Sequence, residues 1–587
     1  MKIIEPKQSA TALEITRKRY LMTDSKGKVV ETVGKMLWRV AQHMAKPEVL
    51  WNDDGAMKET AEKFYERMVT KKFVCSGKAM FEAGNPGGIG QLAACFVLPI
   101  EDSIDDIFKT LGEAAVIHKN NGGTGFNFSK IRPHGDKVKN VPNAASGPVD
   151  FIKAFSAALS KILQGAKRQG GNIAILNVDH PDIEEFIKMK AEDGTIKNFN
   201  ISVGATDEFM KAVIAKKVWR LNNPRNKETV KKMRADKLFD LICEYAHKTA
   251  DPGMAFLDRA EKDNPTPTLG KLEATNPCGE IFLLPYESCN LGSINLSEHI
   301  KISAKGRHEV DWEDLTKTVS VGVRFLDNMI EVNNYPLDQI KKMVKDGNRR
   351  IGLGVMGFAH LLYKLGVGYN SETGVKLAEK LAKFIRVEAD KESEKLGQER
   401  GNFGNYDVSI FTKSGKVKRN CATTMIAPTG TISMFADCSS GIEPVFALST
   451  TRKTFFEDSR KNSATKEVVI NDPVYEEYKN KYDQKVFVTA HEIDWCWHVK
   501  IQAAWQKYFD NSVSKTINMA QEVTVEEVKQ AYLLAWRLGC KGITIYRDGS
   551  KLDQVLNVIK CPECKHELII KEGCSTCNNC GFSKCSL

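Results

Sequence analysis

The sequence predicts an α/β fold, and two observations carry that prediction. From about residue 75 to 549, short apolar runs alternate with Gly-rich turns and amphipathic stretches, the pattern of sheets covered by helices. With 42% hydrophobic and 27% charged residues over 587 positions, the composition is that of a globular chain able to bury a large core. Ahead of this region, residues 1–74 are charged and helical in pattern. In ETVGKMLWRVAQHMA (31–45) apolar residues recur at spacings of three and four, which places them on one helix face.

Within 75–551 the elements follow in order. ACFVLPI (94–100), GFNFSKI (125–131), GNIAILNV (171–178), FNISVG (199–204), SINLS (293–297) and GITIY (542–546) read as strands. The stretches 101–119, 149–163 and 379–397 read as helices. Residues 552–587 form a separate tail in which six of the 15 cysteines occupy the last 27 positions. No tandem repeat is visible. No apolar run reaches the roughly 18 residues of a membrane span, and the N-terminus lacks the apolar core of a secretory signal. A cytoplasmic location is expected. The net charge of +11 suits polyanionic ligands, nucleotides and nucleic acid alike.

Chemistry concentrates in Asn276-Pro277-Cys278-Gly279-Glu280. In an extended conformation Asn276, Cys278 and Glu280 would share a face, setting an amide, a thiol and a carboxylate side by side. Pro277 and Gly279 between them suit a loop tip entering a cavity; a plain turn around a buried cysteine fits as well. Cys289 follows in SCNLGSINL, and Cys95 lies far upstream. They can pair only if the fold brings their Cα atoms within about 7 Å.

QLAACFVLPIEDS, NNGGTGFNFSKIRPHGD, KNFNISV, NPCGEIFLLPYESCNLGSINL, APTGTISMFADCSSGIEPVF and LGCKGITIYRDGS occur in the order and spacing of ribonucleotide reductases, and the chain resembles their adenosylcobalamin-dependent class II. The resemblance covers most of 75–550. It implies a ten-stranded α/β barrel of two five-stranded halves with a central finger loop. It implies that Cys278 carries the thiyl radical, that Cys95 and Cys289 are oxidised to a disulfide in each turnover, and that Asn276 and Glu280 are the polar catalytic residues. The chemistry fits those roles. A radical on Cys278 would take hydrogen from C3′ of the ribose, and Glu280 would accept the 3′-hydroxyl proton. Asn276 would hold the ribose hydroxyls.

Thr429, Gly430, Thr431 and Ser433 form a hydroxyl-rich loop suited to phosphate, and also to a helix cap. With the resemblance they are assigned to the substrate's phosphates, taken as a diphosphate. Asp102 and Arg132 match positions that contact deoxynucleoside triphosphate effectors at a dimer interface, and 164–172 (QGAKRQGGN) matches the loop joining effector to substrate; a homodimer is therefore expected. The Gly122–Gly125 turn is expected to serve close backbone packing. No ATP-cone domain is recognisable at the N-terminus.

The radical source separates the classes. The stretch 539–546 has the single tyrosine Tyr546 where class I large subunits carry two, and the C-terminus shows no glycyl-radical box. Adenosylcobalamin is the expected cofactor, its chemistry being positioned rather than performed by the protein. In the tail, Cys561, Cys564, Cys577 and Cys580 form two C-x-x-C knuckles that predict a small zinc ribbon. Similar tails in this class re-reduce the active-site disulfide by thiol exchange, which points to Cys580 and Cys585, with a thiol reductant such as thioredoxin as partner. Two rival readings are a nucleic-acid-binding zinc ribbon and a class I large subunit lacking its partner. The first leaves Cys95, Cys278 and Cys289 unexplained, and no nucleic-acid partner is expected.

Overall fold

A computed structural model describes residues 2–164, 168–191, 196–457, 463–550, 568–571, 574–577 and 583–585; at 163–164, 168–169, 289, 450–457, 463–470 and in the three tail segments it describes the backbone alone. The chain opens with helices α1 (Ala10–Arg19), α2 (Val33–Ala45) and α3 (Asp54–Val69). The side chains of Ser9, Thr32 and Asp53 cap their first turns by accepting from main-chain N–H groups, which fixes where each begins. The apolar face read from 31–45 is the buried face of α2: Met36, Leu37, Val40 and Met44 are wholly enclosed.

The centre is one ten-stranded mixed sheet. Its strands are β1 (Phe73–Cys75), β2 (Cys95–Val97), β3 (Gly123–Asn127), β4 (Asn172–Asn177), β5 (Phe199–Ala205), β6 (Gly253–Phe256), β7 (Ser288–Asn295), β8 (Ile351–Met356), β9 (Thr516–Met519) and β10 (Gly542–Arg547). β2 to β6 run parallel in sequence order. At one edge β7 joins β2 antiparallel and carries β8 parallel; at the other, β10 joins β6 antiparallel and carries β9 parallel. Two single parallel bridges, Leu353 with Thr424 and Ile426 with Val513, lead from β8 through 423–426 toward β9. All six strands read from the sequence lie in this sheet. The glycine-rich IGLGVM of β8, wholly buried, carried no alternation to reveal it.

Helices cover the sheet. α4 (Gly77–Glu82) precedes β2, α5 (Ile104–Lys119) links β2 to β3, and α6 (Trp312–Val332) and α7 (Glu372–Arg400) flank β8. A buried ion cluster ties the N-terminal helices to α6 and α7. Glu48, in the turn after α2, accepts from Arg324 Nη2 at 2.8 Å and Arg400 Nη2 at 2.7 Å, while Asp327 accepts from Arg349 at 2.8 Å and Arg400 at 2.9 Å. Glu48, Asp327 and Arg400 have no exposed side-chain surface, so each charge depends on these partners. Among the described residues no helix is long and apolar enough to cross a membrane.

Candidate active site

The segment 272–284 lies as a finger over one face of the sheet. Its two arms pair antiparallel, Ala274 with Leu283 and Thr275 with Phe282. Ile281, Phe282, Leu283 and Leu284 bury their side chains against Val97 of β2, Ile175 of β4 and Ala255 of β6. The run IFLLP after the NPCGE motif is thus the anchor that holds the motif at depth. The Thr275 carbonyl lies so close to β3 that a Cβ on Gly125 would stand 1.7 Å from it, and only glycine admits this approach.

At the tip the chain turns tightly instead of running extended. Gly279 N donates to the Asn276 carbonyl at 3.0 Å, Asn276 N to the Ile281 carbonyl at 3.2 Å, and Gly279 takes φ +76°. Side chains in a turn do not alternate as in a strand, so the shared face expected from the sequence is replaced by a split. Cys278 is exposed, whereas Asn276 and Glu280 are buried. The Cys278 thiol lines a cavity of about 230 Å³ together with Asn200, Gly253, Gln502, Thr516 and Tyr546. Two residues outside the sequence-predicted site hold the tip: Asn200 Nδ2 donates to the Pro277 carbonyl at 2.8 Å, and Ser512 N to the Glu280 carbonyl at 3.0 Å. Asn200 lies within KNFNISV, but as one polar position in an alternating strand it gave no sign of this particular role.

Asn276 reaches both other groups of the motif's surroundings. Its Nδ2 donates to Cys95 Sγ at 3.3 Å, and its amide also bonds the Glu280 carboxyl. Burial pushes the Glu280 carboxyl up to about 7, against the opposing Asn276 bond, and its Oε2 is an enclosed oxygen without a hydrogen-bond partner. Burial likewise raises the Cys95 thiol to about 12, with the Glu280 charge adding to the rise. Cys95 on β2 and Cys289 on β7 are Cα partners in the antiparallel register. Such partners lie about 4.5–5.5 Å apart, inside the window a disulfide requires.

In the hydroxyl-rich loop, Thr429 Oγ1 accepts from Gly441 N at 2.7 Å, Ser433 Oγ and Ser440 Oγ are 2.8 Å apart, and Arg19 Nη1 donates to Thr431 Oγ1 at 3.2 Å. Thr429 and Ser433 are buried, while Pro428 and Gly430 are exposed. Pro428 and Ser433 line a second cavity, of about 450 Å³, with His360, Glu443 and Thr516. Asp102 is engaged by Arg132, whose Nε donates to both carboxylate oxygens at 3.1 and 2.9 Å. Asp102 also edges a third cavity, of about 750 Å³, whose lining includes Leu272 and Glu273 of the finger but not Cys278. In the stretch 164–172 the far end abuts the finger: a Cβ on Gly171 would meet Pro277 at 3.6 Å. The zinc candidates Cys561, Cys564 and Cys580 lie outside the described residues, as does the side chain of Cys577; the register does pair the backbones of Cys574 and Cys585.

Two family models match the chain. Residues 6–88 match the ribonucleotide reductase all-alpha domain and residues 93–546 the ribonucleotide reductase barrel domain. The vitamin B12-dependent ribonucleoside-diphosphate reductase of Thermoplasma acidophilum is 42% identical over 94% of this chain and 80% of its own length. The protein of the same name from Mycobacterium tuberculosis is 41% identical over 94% of this chain and 81% of its own. A ribonucleoside-diphosphate reductase subunit alpha of Chlamydia pneumoniae is 27% identical over 81% of this chain and 54% of its own.

Proposed function

The chain belongs to the ribonucleotide reductases, of the vitamin B12-dependent kind, and on that premise we propose which of its residues carry the reduction of ribonucleotides to 2′-deoxyribonucleotides. The substrate is a ribonucleoside diphosphate, and the product supplies DNA synthesis. Adenosylcobalamin, when bound, supplies the radical. The exposed Cys278 thiol in its cavity fits that supply, since it is reachable without displacing the turn.

Cys278 as a thiyl takes hydrogen from C3′. Glu280 accepts the 3′-hydroxyl proton, a task suited to a buried carboxyl held near neutrality. One thiol of the Cys95–Cys289 pair protonates the departing 2′-hydroxyl, and the two thiols together give two electrons and become a disulfide. Cys278 then returns its hydrogen to C3′. Asn276, bonded to Cys95 and Glu280, orients the ribose hydroxyls between them. The single observation that carries this reading is the Cα register of Cys95 with Cys289 beside a turn bearing Cys278.

Thr429, Gly430, Thr431 and Ser433 hold the phosphates, Asp102 and Arg132 bind a deoxynucleoside triphosphate effector at a homodimer interface, and the sheet closes as a ten-stranded barrel through the 423–426 bridges. The catalytic region spans 75–551 between the helical 1–74 and a tail 552–587. In that tail Cys561, Cys564, Cys577 and Cys580 bind zinc, while Cys580 and Cys585 relay electrons from a thiol reductant. The test is CDP reduction with dithiothreitol: product only when adenosylcobalamin is present, and none from Cys278→Ala, is the expected result. Product without the cofactor, or an active Cys278→Ala, overturns it.

A further inference from the structure

The loop assigned to the substrate's phosphates, 429–433, offers hydroxyls and main-chain groups but no charged side chain. It opens α8 (Gly430–Ala436), and α1 lies along that helix in the opposite direction. At one end Ser9, the cap of α1, donates its N–H to Asp437 Oδ2 at 3.1 Å, and Gln8 Nε2 donates to the Phe435 carbonyl at 3.2 Å. At the other end Arg19, the last residue of α1, donates Nη1 to Thr431 Oγ1 at 3.2 Å. The phenol of Tyr20, buried beside it, bonds the same hydroxyl. The guanidinium of Arg19 is thereby set over the first turn of α8, and the contacts at both ends of α1 keep it there.

Its charge is unmatched. Arg19 is exposed and makes no ion pair among the described residues. The neighbouring cations are taken up, Lys71 by Asp437 at 2.7 Å and the enclosed Lys515 by Glu443. Space lies open beside it, too. A Cβ on Gly430 would meet nothing within 4 Å, and both Gly430 and Pro428 are exposed. A guanidinium carries several N–H donors in a rigid fork, and the Thr431 bond occupies one of them. The rest of the fork suits phosphate oxygens, which it can bind through two parallel hydrogen bonds.

We propose that Arg19 is a further substrate-binding residue, its guanidinium taking the terminal phosphate of the nucleoside diphosphate held at 429–433. The role rests on the assignment of that loop above and deepens it, since the helical region then contributes the cation that the loop itself lacks. The Thr431 hydroxyl serves by aiming the guanidinium. Arg19 acts on phosphate and on neither base nor ribose, so a nucleoside without phosphates gains nothing from it.

Binding to the full chain, measured without cofactor, tests this. CDP and cytidine are titrated by equilibrium dialysis into the native chain and into the Arg19→Met, Arg19→Lys and Ser433→Ala variants. Arg19→Met should bind CDP roughly 10–100-fold more weakly, the effect of losing hydrogen bonds to a charged group, and should bind cytidine as the native chain does. Arg19→Lys keeps the charge without the fork and should recover part of the loss. Ser433→Ala should weaken CDP as well. Native CDP affinity in Arg19→Met, beside a weakened Ser433→Ala, overturns the Arg19 role and leaves the loop standing. A loss shared equally by CDP and cytidine makes Arg19 a tether for α1 and likewise overturns the role. Native CDP affinity in both Arg19→Met and Ser433→Ala overturns the loop assignment and the proposal with it.

Discussion

Asn276 donates its side-chain amide to the sulfur of Cys95 at 3.3 Å, across 181 positions of sequence. The bond joins the finger tip to β2, and the same amide bonds Glu280. Replacing Asn276 by Ala should therefore uncouple both groups. A fall in kcat of about 10²–10³-fold is expected, the effect of losing one placed donor. KM should change little, measured by steady-state CDP reduction.

Glu280 should give the rate its acid limb. Its carboxyl must be ionised to act as base, so kcat/KM should fall as pH drops through about 7. Glu280→Gln should lose that limb together with roughly 10²–10⁴-fold of activity.

Stability should run the other way at Glu280. A carboxyl raised from 4.5 to about 7 in the folded protein binds its proton more tightly when folded, so the ionised form costs stability once pH exceeds its folded value. Glu280→Gln should melt above the native protein at pH 8, and the gain should vanish below pH 4.5. Calorimetry at the two pH values checks this.

Gly125 should tolerate no side chain. Its Cβ would meet the Thr275 carbonyl at 1.7 Å, so Gly125→Ala must push the finger off β3. About 1–3 kcal/mol of stability should be lost, with catalysis falling further than stability because the tip moves. Urea unfolding set beside kcat separates the two effects.

Arg132 should govern the response to effectors. With Arg132→Ala, Asp102 loses its two Nε contacts and the turn they hold. Activity without effector should persist, while the change in preference among CDP, ADP and GDP on adding a deoxynucleoside triphosphate should disappear in competition assays.

Local pattern made much of this legible and long-range placement did not. The strand at 94–100 and the NPCGE motif each stand out in isolation, because alternation and residue type are written locally. The register of Cys95 with Cys289 depends on the antiparallel joining of β7 to β2, which no window of sequence contains. The conformation at 276–279 is undecided by local pattern for a related reason. NPCGE fits an extended run and a turn alike, and Gly279 at φ +76° with the anchoring of Ile281–Leu284 decides for the turn.

Glu48 makes the helical region inseparable from the strands. A chain begun at residue 75 would leave Arg324 and Arg400 one carboxylate short in the interior, a loss of about 3–5 kcal/mol for a buried pair so broken. The two family models therefore mark stretches of common ancestry, not pieces that fold alone. Gene fusion or recombination among such reductases can exchange the first 88 residues only between parents that keep an acid facing Arg400.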